Sequence, residues 1–358
     1  MRLPPVGFLS GGSLGDRRLE AWDRQTGRDA LHQTKGREMS GYSKVLVTGG
    51  SGFLGRRIVG RLERLGYKVA APRSSGFDLE TGRGVSEFFE KSRAGGNPVD
   101  AVIHSAAYYG GIGINMRDPA GLISRNTRMT VTLFENAAKH GVRKVVSVGS
   151  ACAYPGHLTG VLEEKDIANG ACHDSVEAYG FNKRIHLVFG KAYSKQYGIG
   201  FNQVALTNLY GEHDVFGESR SHVISALIKK IADAKLGLTP RPVLWGTGSP
   251  KREFAYVQDA ADVIVDALNW ETDCEPVNLN GEEVTIKALA EMVCGYIGYT
   301  GELLWDKSKP DGVARKCLSG AKLSRVVTFD YRPVALAEGL KRTIEWYMAN
   351  KEEADRRE

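Results

Sequence analysis

Tyr179 and Lys183 stand four residues apart, a spacing that sets both on one face of a helix. An ammonium beside a phenol favours the phenolate and pulls the tyrosine pKa down towards neutrality. A tyrosine tuned in this way is a general acid or base for a carbonyl. Ser150 closes the apolar run V-V-S-V-G-S and offers a hydroxyl to the same carbonyl oxygen. Cys152 follows two residues later. By itself a Y-x-x-x-K pair marks only a solvated helix face, so its chemistry depends on what the rest of the chain places around it.

The elements that must position these groups begin with K-V-L-V-T, a buried-strand run. It leads into Gly49-Gly50-Ser51-Gly52-Phe53-Leu54-Gly55 and then a helix with Ile58, Leu62 and Leu65 on one stripe. Glycines 49, 52 and 55 allow a sharp turn, close backbone approach to a pyrophosphate and tight packing of helix on strand. The helix start offers free N–H groups to an anion. This placement predicts a dinucleotide site. A second strand, Y-K-V-A-A, ends in Pro72-Arg73-Ser74-Ser75, where an NAD site commonly carries an acid for the ribose hydroxyls. Arg73 and two serines suit a 2′-phosphate instead, so NADP is the expected cofactor. Asp78 is placed to reach the adenine edge.

Val102-Ile103-His104 predicts a third strand that runs into Ser105-Ala106-Ala107, small residues that let a cofactor lie close. His104 is expected in the core. The following Y-Y-G-G-I-G-I-N reads as a binding loop. Asn126 opens a helical pattern; it either caps that helix or lines the site. Strand and helix keep alternating through G-F-N-Q-V-A-L-T-N, which predicts an α/β fold, a Rossmann-type doubly wound parallel sheet. After Asn208-Leu209-Tyr210-Gly211 the texture becomes loop-rich, and a smaller C-terminal substrate domain is expected. The division reads as a flexible tail over 1–38, a sheet domain over 39–208 completed by 253–280, and a substrate domain over 209–252 and 281–350. Met39 looks like a natural start, with the first 38 residues a tail or upstream sequence.

The 358 residues, 42% hydrophobic, suffice for a sizeable core, and 43 glycines suit many tight turns. The net charge of +6 is spread along the chain, and no basic run is interleaved with aromatics, which excludes a nucleic-acid binder. Five cysteines without paired spacing point to a reducing, cytoplasmic setting. No apolar run approaches the ~20 residues of a membrane span. No metal site is expected.

The motifs G-S-A-C-A-Y-P, Y-G-F-N-K, T-N-L-Y-G, S-H-V-I-S-A-L, W-G-T-G-S-P-K-R-E-F and S-K-P-D-G run from about Lys44 to Tyr347. Through them the chain resembles the extended short-chain dehydrogenase/reductase family, in its GDP-L-fucose synthase branch. The resemblance implies an NADPH-dependent enzyme that epimerises GDP-4-keto-6-deoxy-D-mannose at C3 and C5 and then reduces C4. It implies Ser150, Tyr179 and Lys183 as the reductase triad, with Cys152 as base and His222 as acid for epimerisation. Val148, Gly149, Leu206, Asn208, Leu209 and His222 would complete the cofactor contacts, together with Ser150, Tyr179 and Lys183, the lysine also holding the nicotinamide ribose. Lys230, Trp245, Arg252 and Asp311 fall where the family binds the GDP-sugar. Lys230 stands where an arginine is usual, so a bidentate phosphate contact is lost there. Kinship also implies a homodimer built on the Tyr179–Lys183 helix. The alternative is a related 3,5-epimerase or 4-reductase for another GDP-linked ketosugar, such as a heptose. A non-catalytic dinucleotide sensor is the reading from another class.

Overall fold

The computed structural model describes residues 41–217, 220–309, 311 and 313–357. The tail reading of residues 1–38 lies outside the described residues.

Strand β1 (Lys44–Thr48) is buried on both faces: Val45 and Val47 enter one hydrophobic cluster, Leu46 the other. Such two-sided burial is what a central parallel strand requires. Helix α1 (Phe53–Arg64) buries Ile58 and Leu62 against the first cluster. The short β2 (Lys68–Ala70) pairs with β1 at the sheet edge. Helix α2 (Val85–Ala94) was not foreseen from the sequence, because its apolar residues are too few for a clear stripe. It is held instead by Phe88 and Phe89, which meet Phe77 with ring centroids 5.1 and 6.4 Å away. Strand β3 (Ala101–His104) follows, then α3 (Ile112–Arg117) and α4 (Pro119–Lys139). Helix α4 starts as Asp-Pro dictates: Pro119 occupies the first turn and Asp118 Oδ1 accepts from the N–H of Gly121 at 3.0 Å. Asn126 is therefore inside the helix, and its reading as a cap is corrected.

Strand β4 (Lys144–Ser150), the short β5 (Gly160–Leu162), α5 (Glu177–Tyr197) and β6 (Gly200–Leu206) complete the first run. Then β7 (Asn208–Tyr210), α6 (Val223–Lys235), β8 (Val243–Trp245), β9 (Lys251–Tyr256) and α7 (Val257–Asp266) lead to β10 (Val277–Leu279). The main sheet has the order β2-β1-β3-β4-β6-β10, all parallel. The chain runs outward from β1 to β2 and then returns to the other side of β1 as β3. This reversal opens a crevice beyond the carboxyl ends of the strands, where ligands of such sheets bind. Every residue of α7 is buried, and the helix packs on α1 with Arg61 Nε 3.3 Å from Asp262 Oδ1.

The remaining elements are β11 (Glu282–Thr285), α8 (Ile286–Ile297), β12 (Leu304–Asp306), β13 (Lys316–Leu318), α9 (Leu323–Val326), α10 (Leu336–Ala349) and α11 (Lys351–Asp355). A separate core of Phe216, Ile224, Ile228, Leu289, Val293, Leu340 and Tyr347 joins α6, α8 and α10. Small sheets tie this part to the first, β7-β9-β11 and β5 with β13, while β8 pairs with β12 within it. The three-residue strands among them were missed, being too short to show a period. No described helix is long and apolar enough to cross a membrane.

Candidate active site

The turn after β1 is shaped by missing side chains. Gly49 has φ +69, and its carbonyl accepts from the N–H of Gly52 at 3.0 Å. A Cβ on Gly55 would lie 2.0 Å from the Gly49 carbonyl oxygen, and one on Gly49 would lie 2.9 Å from Ala106 Cα. Ala106 is tied to the turn by its N–H, which donates to Thr48 Oγ1 at 3.2 Å. Ala107 follows, half-buried. Helix α1 begins at Gly52 with no side-chain cap and no acid in its first turn. Ser51 and Gly52 are exposed, with Phe53 and Leu54 half-buried behind them. An uncapped helix start facing a glycine cradle fits the diphosphate of a dinucleotide. Arg73, Ser74 and Ser75 lie exposed just beyond β2, where the Arg73 carbonyl accepts from the N–H groups of Gly76 and Phe77. Asp78 turns its carboxylate into its own loop, accepting from Thr81 Oγ1 at 2.8 Å and Glu80 N–H at 2.9 Å. These bonds, Thr81's first, hold it below the usual carboxylate range.

Val148 and Gly149 are buried in β4, and Ser150 lies at the strand end in register with Leu206 of β6. Asn208, exposed, donates to the Glu253 carbonyl at 2.9 Å, and Leu209 beside it is half-buried. Glycine turn, Ala106, Ser150 and Leu206 thus follow one another along the carboxyl edge of the sheet.

Ser150 Oγ accepts from the N–H of Cys152 at 3.1 Å and folds residues 151–153 into a tight turn. Helix α5 presses on that turn at Gly180, whose Cβ, if present, would be 2.2 Å from the Cys152 carbonyl oxygen. Arg184 Nε, one turn on, donates to the Ala153 carbonyl at 2.6 Å. This packing sets Tyr179 and Lys183 beside Cys152, both buried. Lys183 Nζ lies 5.3 Å from the Tyr179 ring centroid. The lowered tyrosine pKa expected from the sequence is not what this environment gives. Burial pushes Tyr179 well above its ordinary value, with Tyr109 and Cys152 adding to the rise. Burial pushes Lys183 down to about 8, against the pull of Cys152. Desolvation governs both groups, so Tyr179 keeps a proton to give. His104 is a core residue, as expected: 1% exposed, Nδ1 2.8 Å from Thr48 Oγ1.

His222 precedes α6 without capping it. Its Nε2 lies 2.8 Å from the Tyr109 hydroxyl, and its Nδ1 3.6 Å from the buried Asp214 carboxylate. Burial lowers its pKa, but Asp214 outweighs burial and the net shift is upward. Tyr109 in turn packs on Tyr179, ring centroids 4.6 Å apart. Its loop is fixed by Asn126, whose amide accepts from Tyr108 N–H at 2.8 Å and donates to Tyr108 O at 2.9 Å. Tyr109, Asp214 and Gly180 were not singled out as site residues in the sequence. The Y-Y-G-G string carried a signal for the first alone, as part of a binding loop.

Lys230 and Trp245 meet at a second place: Nζ donates to the Val243 carbonyl at 2.8 Å and sits 5.7 Å from the ring of the exposed Trp245. Arg252 and Asp311 meet as well, through donation from the guanidinium to the Val313 and Asp311 carbonyls at 2.5 and 3.0 Å. The Asp311 carboxylate accepts from Thr247 N–H at 2.7 Å and Thr247 Oγ1 at 2.8 Å. Lys316, on β13, donates from Nζ to the Tyr154 carbonyl at 3.4 Å, and burial lowers its pKa.

A model of the NAD dependent epimerase/dehydratase family matches residues 45–279. GDP-L-fucose synthase 1 of Arabidopsis thaliana is 35% identical over 327 residues, 89% of this chain and 99% of the relative. The GDP-L-fucose synthase of Escherichia coli (strain K12) is 31% identical over 320 residues, 86% of this chain and 98% of the relative. The crystal structure of a GDP-L-fucose synthetase from Naegleria fowleri bound to NADP has a TM-score of 0.78 and 28% identity, covering 88% of this chain and 96% of that one. A glycine cradle at the sheet's carboxyl edge, a buried tyrosine–lysine pair beside it and these matches have one explanation: the chain belongs to the NAD dependent epimerase/dehydratase family, on the branch that holds these GDP-L-fucose synthases.

Proposed function

We propose that the protein converts GDP-4-keto-6-deoxy-D-mannose to GDP-L-fucose, by epimerisation at C3 and C5 and NADPH-dependent reduction at C4. The strongest support is the gathering of Cys152, Tyr179 and His222 around one ring, that of Tyr109. A base, an acid and a phenolic proton donor are what the two half-reactions need.

The turn over 49–55 holds the diphosphate of the cofactor, Arg73 and Ser74 its 2′-phosphate, and the strand ends Ala106, Ala107, Ser150 and Leu206 its nicotinamide half. When bound, NADPH supplies the hydride for C4. Cys152 removes the proton alpha to the ketone, and the His222 side returns one to the opposite face. Ser150 Oγ and the Tyr179 hydroxyl hold the oxygen on which the enolate charge collects. In the reduction Tyr179 donates its proton to the C4 oxygen. Its raised pKa keeps that proton in place at neutral pH until the alkoxide forms. Lys183 then stabilises the phenolate left behind. Lys230, Trp245, Arg252 and Asp311 receive the nucleotide end, with Arg252 already oriented by its three carbonyl partners, Lys251, Asp311 and Val313. The sheet domain spans 39–208 with 253–280, and the sugar-nucleotide domain 209–252 with 281–350.

The protein acts in the cytoplasm as a homodimer. Phe181 and Val188, seven apart on α5, are 53% and 66% exposed, an apolar stripe suited to a partner helix. Val188→Asp should yield a monomer by light scattering; a dimer of unchanged mass removes that part of the reading.

The enzyme is tested with the ketosugar and NADPH in heavy water. Loss of absorbance at the nicotinamide band with deuterium at C3 and C5 is expected. NADPH loss without deuterium leaves a pure 4-reductase, and deuterium without NADPH loss a pure epimerase. A panel of other GDP-linked ketosugars, heptoses included, separates this substrate from its rivals.

A further inference from the structure

Tyr109 has no role in the scheme above, yet it touches both ends of the reactive cluster. Its ring lies 4.6 Å from that of Tyr179 and 5.3 Å from that of His222, centroid to centroid. Its hydroxyl is 2.8 Å from His222 Nε2. Behind the imidazole, Nδ1 faces Asp214, a carboxylate only 1% exposed, at ion-pair distance, 3.6 Å. Asp214 is itself fixed by Ser225 Oγ and by the N–H of Val215. A buried carboxylate beside Nδ1 keeps the proton on that nitrogen. The proton that a charged His222 can release is therefore on Nε2, and Nε2 is covered by the Tyr109 oxygen. The loop that carries Tyr109 is preset on both sides. Asn126 binds the backbone of Tyr108, and an Arg220 terminal nitrogen donates to the Tyr109 carbonyl at 2.8 Å.

We propose that Tyr109 is a further catalytic acid of the epimerase half: it hands the proton to the sugar, and His222, oriented by Asp214, reloads it. This rests on the epimerase/reductase reading above. The Cys152 thiolate takes the C–H proton and becomes a thiol, and the C–H electron pair becomes the enolate. Tyr109 O–H gives its proton to the opposite face of that carbon, restoring the ketone. The Tyr109 oxygen then takes the Nε2 proton of the His222 imidazolium. One proton has passed from His222 to Cys152 in net, and exchange with solvent resets both. Burial, then Cys152 and Asp214, raise the Tyr109 pKa, so the hydroxyl keeps its proton between turnovers.

The experiment is Tyr109→Phe with GDP-4-keto-6-deoxy-D-mannose in heavy water, scoring inversion and deuterium exchange separately at C3 and C5. Cys152 can still remove a proton and return deuterium to the same face. Inversion should therefore fall about 100-fold or more while exchange falls far less. Inversion close to the parent rate overturns the proposal, since His222 would then deliver directly. Equal losses of exchange and inversion also overturn it, because Tyr109 would only hold the site's shape. A second measurement needs no substrate: the Nε2 nitrogen resonance of His222 should move in Tyr109→Phe, and an unchanged resonance overturns the pairing itself. A parent enzyme that neither exchanges nor reduces the ketosugar, yet shows the resonance change, overturns the functional reading and the proton transfer with it.

Discussion

The turn after β1 and the cluster around Tyr109 are built by opposite means. The turn is seven consecutive residues whose contribution is space: Gly49 and Gly55 bring backbone to backbone where a single Cβ would sit 2.0 Å from an oxygen. The cluster draws on the loop after β3, the turn after β4, helix α5, the stretch before α6 and the residue that opens it. Its contribution is side chains taken out of water, and burial sets the direction of the Tyr179 and Lys183 shifts. The first site should therefore fail when an atom is added, and the second when a proton-carrying atom is removed.

Tyr179→Phe should give the largest effect that separates them. The phenyl ring keeps the packing on Tyr109 but has no proton to give. The kcat for ketosugar reduction should fall about 10²–10⁴-fold, with NADPH affinity falling far less by fluorescence titration. A matching loss of NADPH affinity would break the distinction, since the phenol would then belong to cofactor binding as much as to chemistry.

Gly55→Ala is the counterpart at the turn. Overpacking of this kind costs about 1–3 kcal/mol, and here the neighbour is backbone that cannot rotate away. A lower urea midpoint and loss of NADPH binding are expected together. A variant as stable as its parent that still binds NADPH would show that the turn relaxes cheaply.

The same contrast explains what was legible in the sequence. The parallel sheet and its glycine turn were readable because both are local: two-faced apolar runs, and glycines at fixed spacing after one of them. Tyr179, Lys183, Ser150 and Cys152 were also readable, through motifs within one 34-residue stretch, Ser150 to Lys183. Tyr109 and Asp214 were not, because their meaning comes from contacts with His222 across 113 and 8 residues of chain. The direction of the Tyr179 shift was missed for a related reason. Spacing told that a lysine is near, but only the packed structure told how completely both groups are buried. Asn126 shows the same limit: its helical pattern was visible, but Asp118 and Pro119, eight and seven residues earlier, had already started the helix.

Lys183→Met probes burial directly. Burial holds the Lys183 pKa at about 8 in the folded protein against an ordinary 10.5. The unfolded chain therefore binds the proton more tightly, and folding carries a penalty that is complete below pH 8. Between pH 8 and 10.5 the folded lysine has lost its proton while the unfolded one has not, and the penalty fades as pH rises. Methionine removes it. The variant should be more stable than the parent by a constant margin below pH 8, a margin that narrows up to pH 10.5, while losing reductase activity. Urea melts of both proteins across this range read the margin. A margin that widens with pH would mean that the lysine is charged and stabilised in the fold.

Arg73→Glu should give the smallest effect, and it sharpens the comparison from the turn's own side. Arg73 is exposed, and its guanidinium would meet a 2′-phosphate close to solvent, where salt screens the attraction. Its contribution is therefore modest, about tenfold in affinity, equivalent to about 1.4 kcal/mol. NADPH should bind about tenfold more weakly to the variant, with NADH unaffected or slightly favoured as the new carboxylate accepts from ribose hydroxyls. Added salt should weaken NADPH binding in the parent more than in the variant, because only the parent holds a charge pair to screen. Neither change should alter the rate of the bound complex, since the residue would lie at the cofactor's far end from Tyr179. Equal loss of NADPH and NADH binding would instead make Arg73 a support for the turn, and cofactor choice would have to be sought at Ser74 and Ser75.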